Sequence, residues 1–255
     1  MGRTIVIANQ KGGVGKTTTA INLSASLAEA EKKVLVIDID PQGNTTSGFG
    51  IEKDEQENTI YELLLGECEI EECMIVTEFD DLTIIPSNVN LAAAEIELVG
   101  IEEKEYILKK ALDKVRDKYD FIIIDCPPSL SMLTINAMCA ADTVLVPIQC
   151  EYYALEGLSQ LIHTINLVQQ RLNDKLQIEG VVFTMYDVRT NLSNQVVDTV
   201  KENIDSKIYN TMIPRNIRLA EAPSYGLPIN MYDTRSAGAE SYRNLAKEII
   251  ERKDI

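Results

Sequence analysis

The sequence predicts an α/β protein, a doubly wound, mainly parallel central sheet with helices on both faces. Three observations point there. Continuous Val/Ile-rich runs alternate with stretches of helical spacing along all 255 residues, the pattern of strands buried on both faces beneath crossover helices. A glycine-rich loop stands between the first apolar run and the first helical stretch. Aspartates close or follow several of the apolar runs, at the strand ends where open α/β sheets place ligands.

The elements follow in order. The run at 4–8 reads as a buried strand, and the small and apolar residues at 16–30 have helical spacing. A second strand at 34–37 is followed by an acidic, broken stretch from 52 to 72, read as a solvated surface excursion carrying a short helix at 59–65. Strands at 82–85, 121–124, 143–148, 180–185 and 208–213 alternate with helical stretches at 90–98, 104–117, 131–140, 155–172, 192–204 and 237–252. Right-handed crossovers wind such strands into one sheet. No linker, repeat or low-complexity block divides the chain, so 1–255 reads as a single domain.

Composition excludes several function classes. No apolar run approaches the roughly 18 residues of a membrane span. The chain enters a strand at once, so no cleavable signal peptide is expected, and Val6 stands where myristoylation needs Ser or Thr. Five cysteines form no CxxC pair and read as reduced thiols. His163 is the sole histidine and lies in a helical pattern, leaving almost nothing for a His-based triad or a zinc site. The net charge of −16 argues against a broadly basic nucleic-acid binder. That excess lies entirely in the first 180 residues, whereas 181–255 is neutral. Any contact with nucleic acid is therefore expected from a local patch in the C-terminal part.

The glycine loop reads Lys11-Gly12-Gly13-Val14-Gly15-Lys16-Thr17-Thr18. Strand, glycine loop and helix form the context of a phosphate-binding loop. Glycines let backbone N–H groups converge on an anion, and the helix N-terminus adds partial positive charge. Lys16 is placed to reach the β- and γ-phosphates, and the Thr17 hydroxyl to hold Mg²⁺. The common G-x-x-x-x-G-K-[ST] pattern needs glycine at position 10, where Gln10 stands; a second lysine, Lys11, precedes the glycine pair instead. This is the deviant Walker A pattern of P-loop NTPases.

The strand at 121–124 ends in Asp125, a Walker B aspartate expected to serve the metal through water. V-I-D-I-D-P-Q-G-N at 36–44 supplies Asp38 and Asp40 beside the same site. Asp40 is assigned to the attacking water and Asp38 to the metal shell, with a turn or helix-capping role as the alternative for Asp38. Cys126-Pro127-Pro128-Ser129 is a stiff turn, either a sensor of the γ-phosphate or a simple strand-to-helix corner.

Together, K-G-G-V-G-K-T-T at 11–18, V-I-D-I-D-P-Q-G-N at 36–44 and I-I-I-D-C-P-P-S at 122–129 resemble the ParA/Soj-type partition ATPases of bacteria. Q-C-E-Y-Y-A-L-E-G at 149–157, I-P-R-N-I-R at 213–218 and L-A-E-A-P-S at 219–224 are similar to further segments of that family. The resemblance runs from residue 2 to about 250. It implies a cytoplasmic ATPase of chromosome or plasmid segregation, with ATP and Mg²⁺ bound at 11–18 and the ATP state on the nucleoid. It implies a nucleotide-sandwich homodimer in which Lys11 reaches the partner's phosphates and Gly12 lies at the interface. Pro214 and Asn216 would lie near the adenine, and a ParB-type partner would stimulate slow hydrolysis. Arg189 and Arg218 match positions such relatives use for non-specific DNA, with Lys201, Arg215 and Arg235 as further candidates. With the loop at residue 11, no operator-binding module is expected ahead of it.

Two related families share the loop. A MinD-like membrane-positioning ATPase would carry a basic amphipathic C-terminal helix, but Tyr242, Leu245, Ala246, Ile249 and Ile250 form a stripe expected to pack on the sheet, and the residues after it are of mixed charge without an aromatic wedge. No stable membrane insertion is therefore expected. A nitrogenase iron-protein-like carrier needs cluster cysteines, and neither Cys126 nor Cys150 lies in a resembling loop.

Overall fold

The computed structural model describes residues 2–151, 154–203 and 207–252. Tyr152 and Tyr153 of the 149–157 motif, the last residue of the 192–204 helix and the chain after Arg252 lie outside them. In chain order the elements are β1 (Arg3–Ile7), α1 (Lys16–Glu29), β2 (Val34–Asp38), α2 (Asn44–Gly48), α3 (Ile60–Leu65), β3 (Ile75–Val76), β4 (Leu82–Ile85), α4 (Leu91–Glu97) and α5 (Ile107–Leu112). There follow β5 (Phe121–Asp125), α6 (Met132–Ala140), β6 (Thr143–Gln149), α7 (Ala154–Arg171), β7 (Gln177–Tyr186), α8 (Asn191–Asn203), β8 (Ile208–Pro214), α9 (Ile217–Glu221), α10 (Ile229–Tyr232) and α11 (Ala237–Ile250).

The strands form one sheet in the order β3-β4-β2-β5-β1-β6-β7-β8. All neighbours pair in parallel except β3 with β4. β1 sits between β5 and β6. The chain moves to one side of β1 for β2 to β4, returns through β5, and moves to the other side for β6 to β8. This reversal makes a topological switch point at the C-terminal ends of β1 and β5, where the loops diverge and leave a crevice.

Strand alternation divides the core in two. Val6, Leu35, Ile37, Ile122 and Ile124 face a cluster completed by Leu63, Leu91, Leu108, Leu133, Leu158 and Val197, from the helices α3 to α8. Ile5, Ile7, Val34, Val36 and Ile123 face the opposite cluster, completed by Leu23 and Leu27 of α1 and by Tyr242, Leu245 and Ile249 of α11. The C-terminal stripe is thus buried: Tyr242, Leu245 and Ile249 are each 0% exposed against α1 and β8. No helix among the described residues is long and apolar enough to cross a membrane.

The differences from the expected elements have local causes. The helix expected at 104–117 is three pieces, α5 flanked by 3₁₀ turns at Lys104–Tyr106 and Arg116–Lys118. Asn136 accepts from the backbone of Leu108 and donates to the carbonyl of Lys104, tying the first junction to α6. Arg116 reaches back to the carbonyl of Gly2 and pairs with Asp142, tying the second. The acidic stretch 52–72 is not wholly a solvated excursion. Ile60, Leu63, Leu64 and Ile70 are buried in the core, and Thr59 with Glu62 closes a capping box on α3.

Candidate nucleotide-binding site

The crevice at the switch point gathers most of the expected site residues. The loop leaves β1 and enters α1 through Gly15, whose φ of +88° only glycine adopts readily; Gly13 stands at φ +72°. A methyl group on Gly12 or Gly13 would meet nothing within 4 Å, so the loop presents bare backbone outward. Asn9 braces its start, donating to the Pro147 carbonyl at 2.8 Å and accepting from Lys11 N at 3.0 Å. The carbonyl of Val14 accepts from the Thr184 hydroxyl at 2.7 Å, and the Thr184 methyl lies 3.6 Å from where a side chain on Gly15 would begin. The end of β7 therefore sets the loop's height above the sheet.

Lys16 and Thr17 open α1. The Lys16 ammonium, in a residue only 7% exposed, donates to the Lys11 carbonyl at 3.1 Å. Burial lowers its pKa, partly offset by the nearby Asp125. The Thr17 hydroxyl donates to Asp125 Oδ2 at 2.8 Å, and Thr45 from α2 donates to the same oxygen at 2.7 Å. Asp125 Oδ1 is buried with no hydrogen-bond partner. Burial, followed by the charge of Asp38, holds the Asp125 carboxyl above the usual carboxylate range. A buried carboxylate with one orphaned oxygen, flanked by a threonine hydroxyl, fits a divalent cation. Among the described residues no three acidic, Cys or His side chains could hold a metal together. Mg²⁺ usually takes one or two carboxylates and completes its shell with water and substrate phosphate, and Asp125 with the Thr17 hydroxyl fits that donor set.

Asp38 and Asp40 occupy different positions. Asp38 is fully buried, and its Oδ2 accepts from both the amide and the hydroxyl of Thr46, each at 2.8 Å. Its Oδ1 accepts from the amide of Asp40 at 3.2 Å. The turn-anchoring role weighed for Asp38 is therefore present in the geometry. Asp40 is 7% exposed and lines the cleft. Its Oδ1 accepts from Gln42 N at 2.9 Å, and its carbonyl accepts from the buried Ser87 hydroxyl at 2.8 Å.

The cleft over the loop is lined by Gly12, Gly13, Lys16, Thr17, Asp40 and Pro128. It adjoins an apolar pocket of about 240 Å³ that shares Gly15, Thr18 and Met185 with it and is walled by Pro214, Arg215, Asn216 and Tyr242. Asn216 also caps α9, its side chain accepting from Arg218 N at 2.8 Å. A polar cleft with a lysine and a glycine loop, joined to an apolar slot, suits a phosphate chain attached to a flat ring.

Lys11 points elsewhere: its ammonium pairs with Glu151, past the end of β6. Arg189 and Arg218 lie outside the cleft. Arg189, exposed after β7, chelates Asp187 through Nε at 2.9 Å and Nη2 at 2.7 Å, and the Asp187 carboxyl is pushed down to about 2 by these bonds. Arg218 on α9 pairs with Glu221 at 2.9 Å and Asp233 at 3.5 Å. Sequence reasoning did not assign Thr45, Thr184, Met185, Glu151 or Tyr242 to the site. Thr184 is a polar residue set among apolar ones near the C-terminal end of its strand, a weaker signal than the aspartate that closes the strand at 121–124. Met185 carries a φ of +49°, which no sequence pattern announces.

A family profile described as an AAA domain matches residues 2–178. The sporulation initiation inhibitor protein Soj of Bacillus subtilis is 57% identical over 249 residues, covering 98% of both chains. The chromosome partitioning protein ParA of Myxococcus xanthus is 53% identical, covering 99% of this chain and 89% of that protein. Among solved structures, cobyrinic acid a,c-diamide synthase from Mycobacterium smegmatis with bound ATP analogue and magnesium superposes with a TM-score of 0.87 at 38% identity, covering 98% of this chain and 95% of that one. With a deviant Walker A loop at a parallel-sheet switch point and relatives of this identity along nearly its whole length, the chain belongs to the ParA/Soj family of partition ATPases.

Proposed function

We propose that this chain is a Mg·ATP-driven switch: ATP binding pairs two copies, the pair holds DNA without sequence preference, and slow hydrolysis, stimulated by a ParB-type partner, separates it. The observation that carries this reading is the convergence of Lys16, Thr17, Asp40 and Asp125 on one crevice beside the Pro214–Asn216 slot. ATP bound there supplies a terminal phosphoryl group, and Mg²⁺ neutralises its charge. The protein's residues do the rest. The backbone of 12–18 and Lys16 hold the phosphates, and Thr17 and Asp125 hold the metal. Asp38 adds negative charge behind Asp125 while its oxygens fix the 40–46 loop. Asp40 orients the attacking water. The uncovered face at Gly12 and Gly13 leaves room for a second copy. For Lys11 to reach that copy's phosphates it must leave Glu151, a partially exposed pair that costs little to break.

DNA contact is assigned to Arg189 and Arg218, doubled in the dimer. Each is held by acidic neighbours in the single chain, so phosphate contact exchanges one anion for another. Non-specific affinity of this kind falls steeply with salt. A titration of duplex DNA with ADP, ATP and a non-hydrolysable ATP analogue across salt concentrations tests the proposal. Binding confined to the triphosphate states is expected, and equal binding with ADP contradicts it. Arg189→Glu is expected to weaken retention at low salt and to flatten the log–log salt dependence by roughly one unit for each phosphate the protein no longer neutralises, leaving dimerisation intact. Full retention removes Arg189 from the interface.

A further inference from the structure

Away from the crevice, two thiols are in contact. Cys68 Sγ and Cys73 Sγ lie 3.1 Å apart. Cys68 is half-buried in the turn after α3, two residues past the C-capping Gly66. Cys73 is 1% exposed at the end of the 3₁₀ turn Ile70–Cys73. Its thiol also faces the carbonyls of Thr59 at 3.4 Å and Glu69 at 3.7 Å, which fix its place. Cys126, Cys139 and Cys150 are buried elsewhere.

A disulfide needs its sulfurs about 2.05 Å apart, so closure asks the two side chains to approach by roughly 1 Å in all. Of the two, Cys68 is the less enclosed, half-buried where Cys73 is buried. One thiol is accessible and the other buried directly behind it, the arrangement of an attacking and a resolving cysteine.

We propose that Cys68 and Cys73 form a dithiol modification site, at which exchange with a low-molecular-weight disulfide closes an intramolecular Cys68–Cys73 bond. The Cys68 thiolate attacks one sulfur of the oxidant, forms a mixed disulfide and releases one thiolate. The Cys73 thiolate then attacks Cys68 Sγ, forms the Cys68–Cys73 bond and expels the second. Two cysteine thiols are oxidised, one small disulfide is reduced to two thiols, and the two cysteine protons are taken up by the departing thiolates. Burial, reinforced by the charges of Glu62, Glu67 and Glu72, raises the Cys68 thiol, and Cys73 is raised by burial as well. The exchange is therefore slow near neutrality. Closure removes the Cys73 donor from the Thr59 carbonyl at the cap of α3, next to the bond from Ile60 N to the Pro86 carbonyl.

The site does not depend on the nucleotide reading, and its test uses no nucleotide. The folded full-length protein, freed of reductant, is incubated with oxidised glutathione at alkaline pH, alkylated, and analysed by intact mass and by cleavage after glutamate, which separates the two cysteines at Glu69, Glu71 and Glu72. The expected product has lost two hydrogens, joins the Cys68 and Cys73 peptides and reverts with dithiothreitol. The Cys68 glutathione adduct should stay below roughly a tenth of it, because the held neighbour resolves it quickly. Cys68→Ser, at the more exposed position, should abolish the cross-link and leave Cys73 without glutathione. A stable adduct on Cys68 without closure overturns the proposal. So does a link that forms only in urea, or one that joins either residue to Cys126, Cys139 or Cys150.

Discussion

Replacing Lys16 by alanine will weaken nucleotide binding by about 100- to 1,000-fold without loss of the fold. Truncating one member of a buried, hydrogen-bonded charge pair costs roughly 2–5 kcal/mol, and each 1.4 kcal/mol or so is tenfold in affinity. With nucleotide bound, Lys16 would be such a member, facing phosphate. Without it, the ammonium is 7% exposed, burial lowers its pKa, and its hydrogen bond is to the Lys11 carbonyl at 3.1 Å. Burial outweighs the attraction of Asp125 and Asp40 for this charge, so the charge does not stabilise the folded chain. The variant should therefore melt at or above the parent temperature while titrations with ADP or ATP in a calorimeter lose their heat. Unchanged affinity would remove Lys16 from the phosphates, and a collapsed melting curve would show that its role is structural.

Asp40→Ala has the opposite signature. Nucleotide affinity should stay within about threefold, whereas hydrolysis should fall by roughly 10²–10⁴, the usual contribution of a positioned proton-accepting group. The backbone of the 40–46 loop does not rest on this carboxylate alone. Ser87 holds the Asp40 carbonyl, Gly43 N donates to the same carbonyl at 2.8 Å, and Asp38 holds Thr46. The substitution thus removes one acid and leaves the loop in place. Single-turnover hydrolysis measures the first effect, and the lifetime of the dimer in Mg·ATP measures its consequence. A dimer that outlasts the parent's is expected; prompt return to single chains in ATP would mean that Asp40 does not gate hydrolysis.

How far the sequence alone carries depends on distance along the chain. The β1–loop–α1 unit and the Asp125 strand were legible because each is a local pattern, a continuous apolar run followed by residues of distinctive chemistry. Thr184 and Met185 were not. They reach the loop from 170 residues away, and nothing near them in sequence mentions it. α2 went unseen because Asn44–Gly48 is only five residues of low helix propensity, held by Asp38 through Thr46. β3 is two residues long, too short to show alternation. The stretch 52–72 looked solvated because its acids outnumber its apolar residues, yet Ile60, Leu63 and Leu64 share one face of α3, and Ile70 from the following turn joins the same core cluster. For Asp38 the sequence offered two roles, in the metal shell or as an anchor of the turn, and its carboxylate accepts three hydrogen bonds from Asp40 and Thr46. The acidic partners of Arg189 and Arg218 stood two to three residues away, as Asp187 and Glu221, and their pairing needed only the turn geometry to complete it.

In the proposed cycle a triphosphate joins two chains. Light scattering behind a sizing column measures this directly, on the parent protein with Mg²⁺ and either ADP or a non-hydrolysable ATP analogue. One chain has a mass of 28.4 kDa. The ADP sample should run at that mass and the analogue sample at twice it. A single-chain mass in both, with calorimetry showing the analogue bound, would contradict the account.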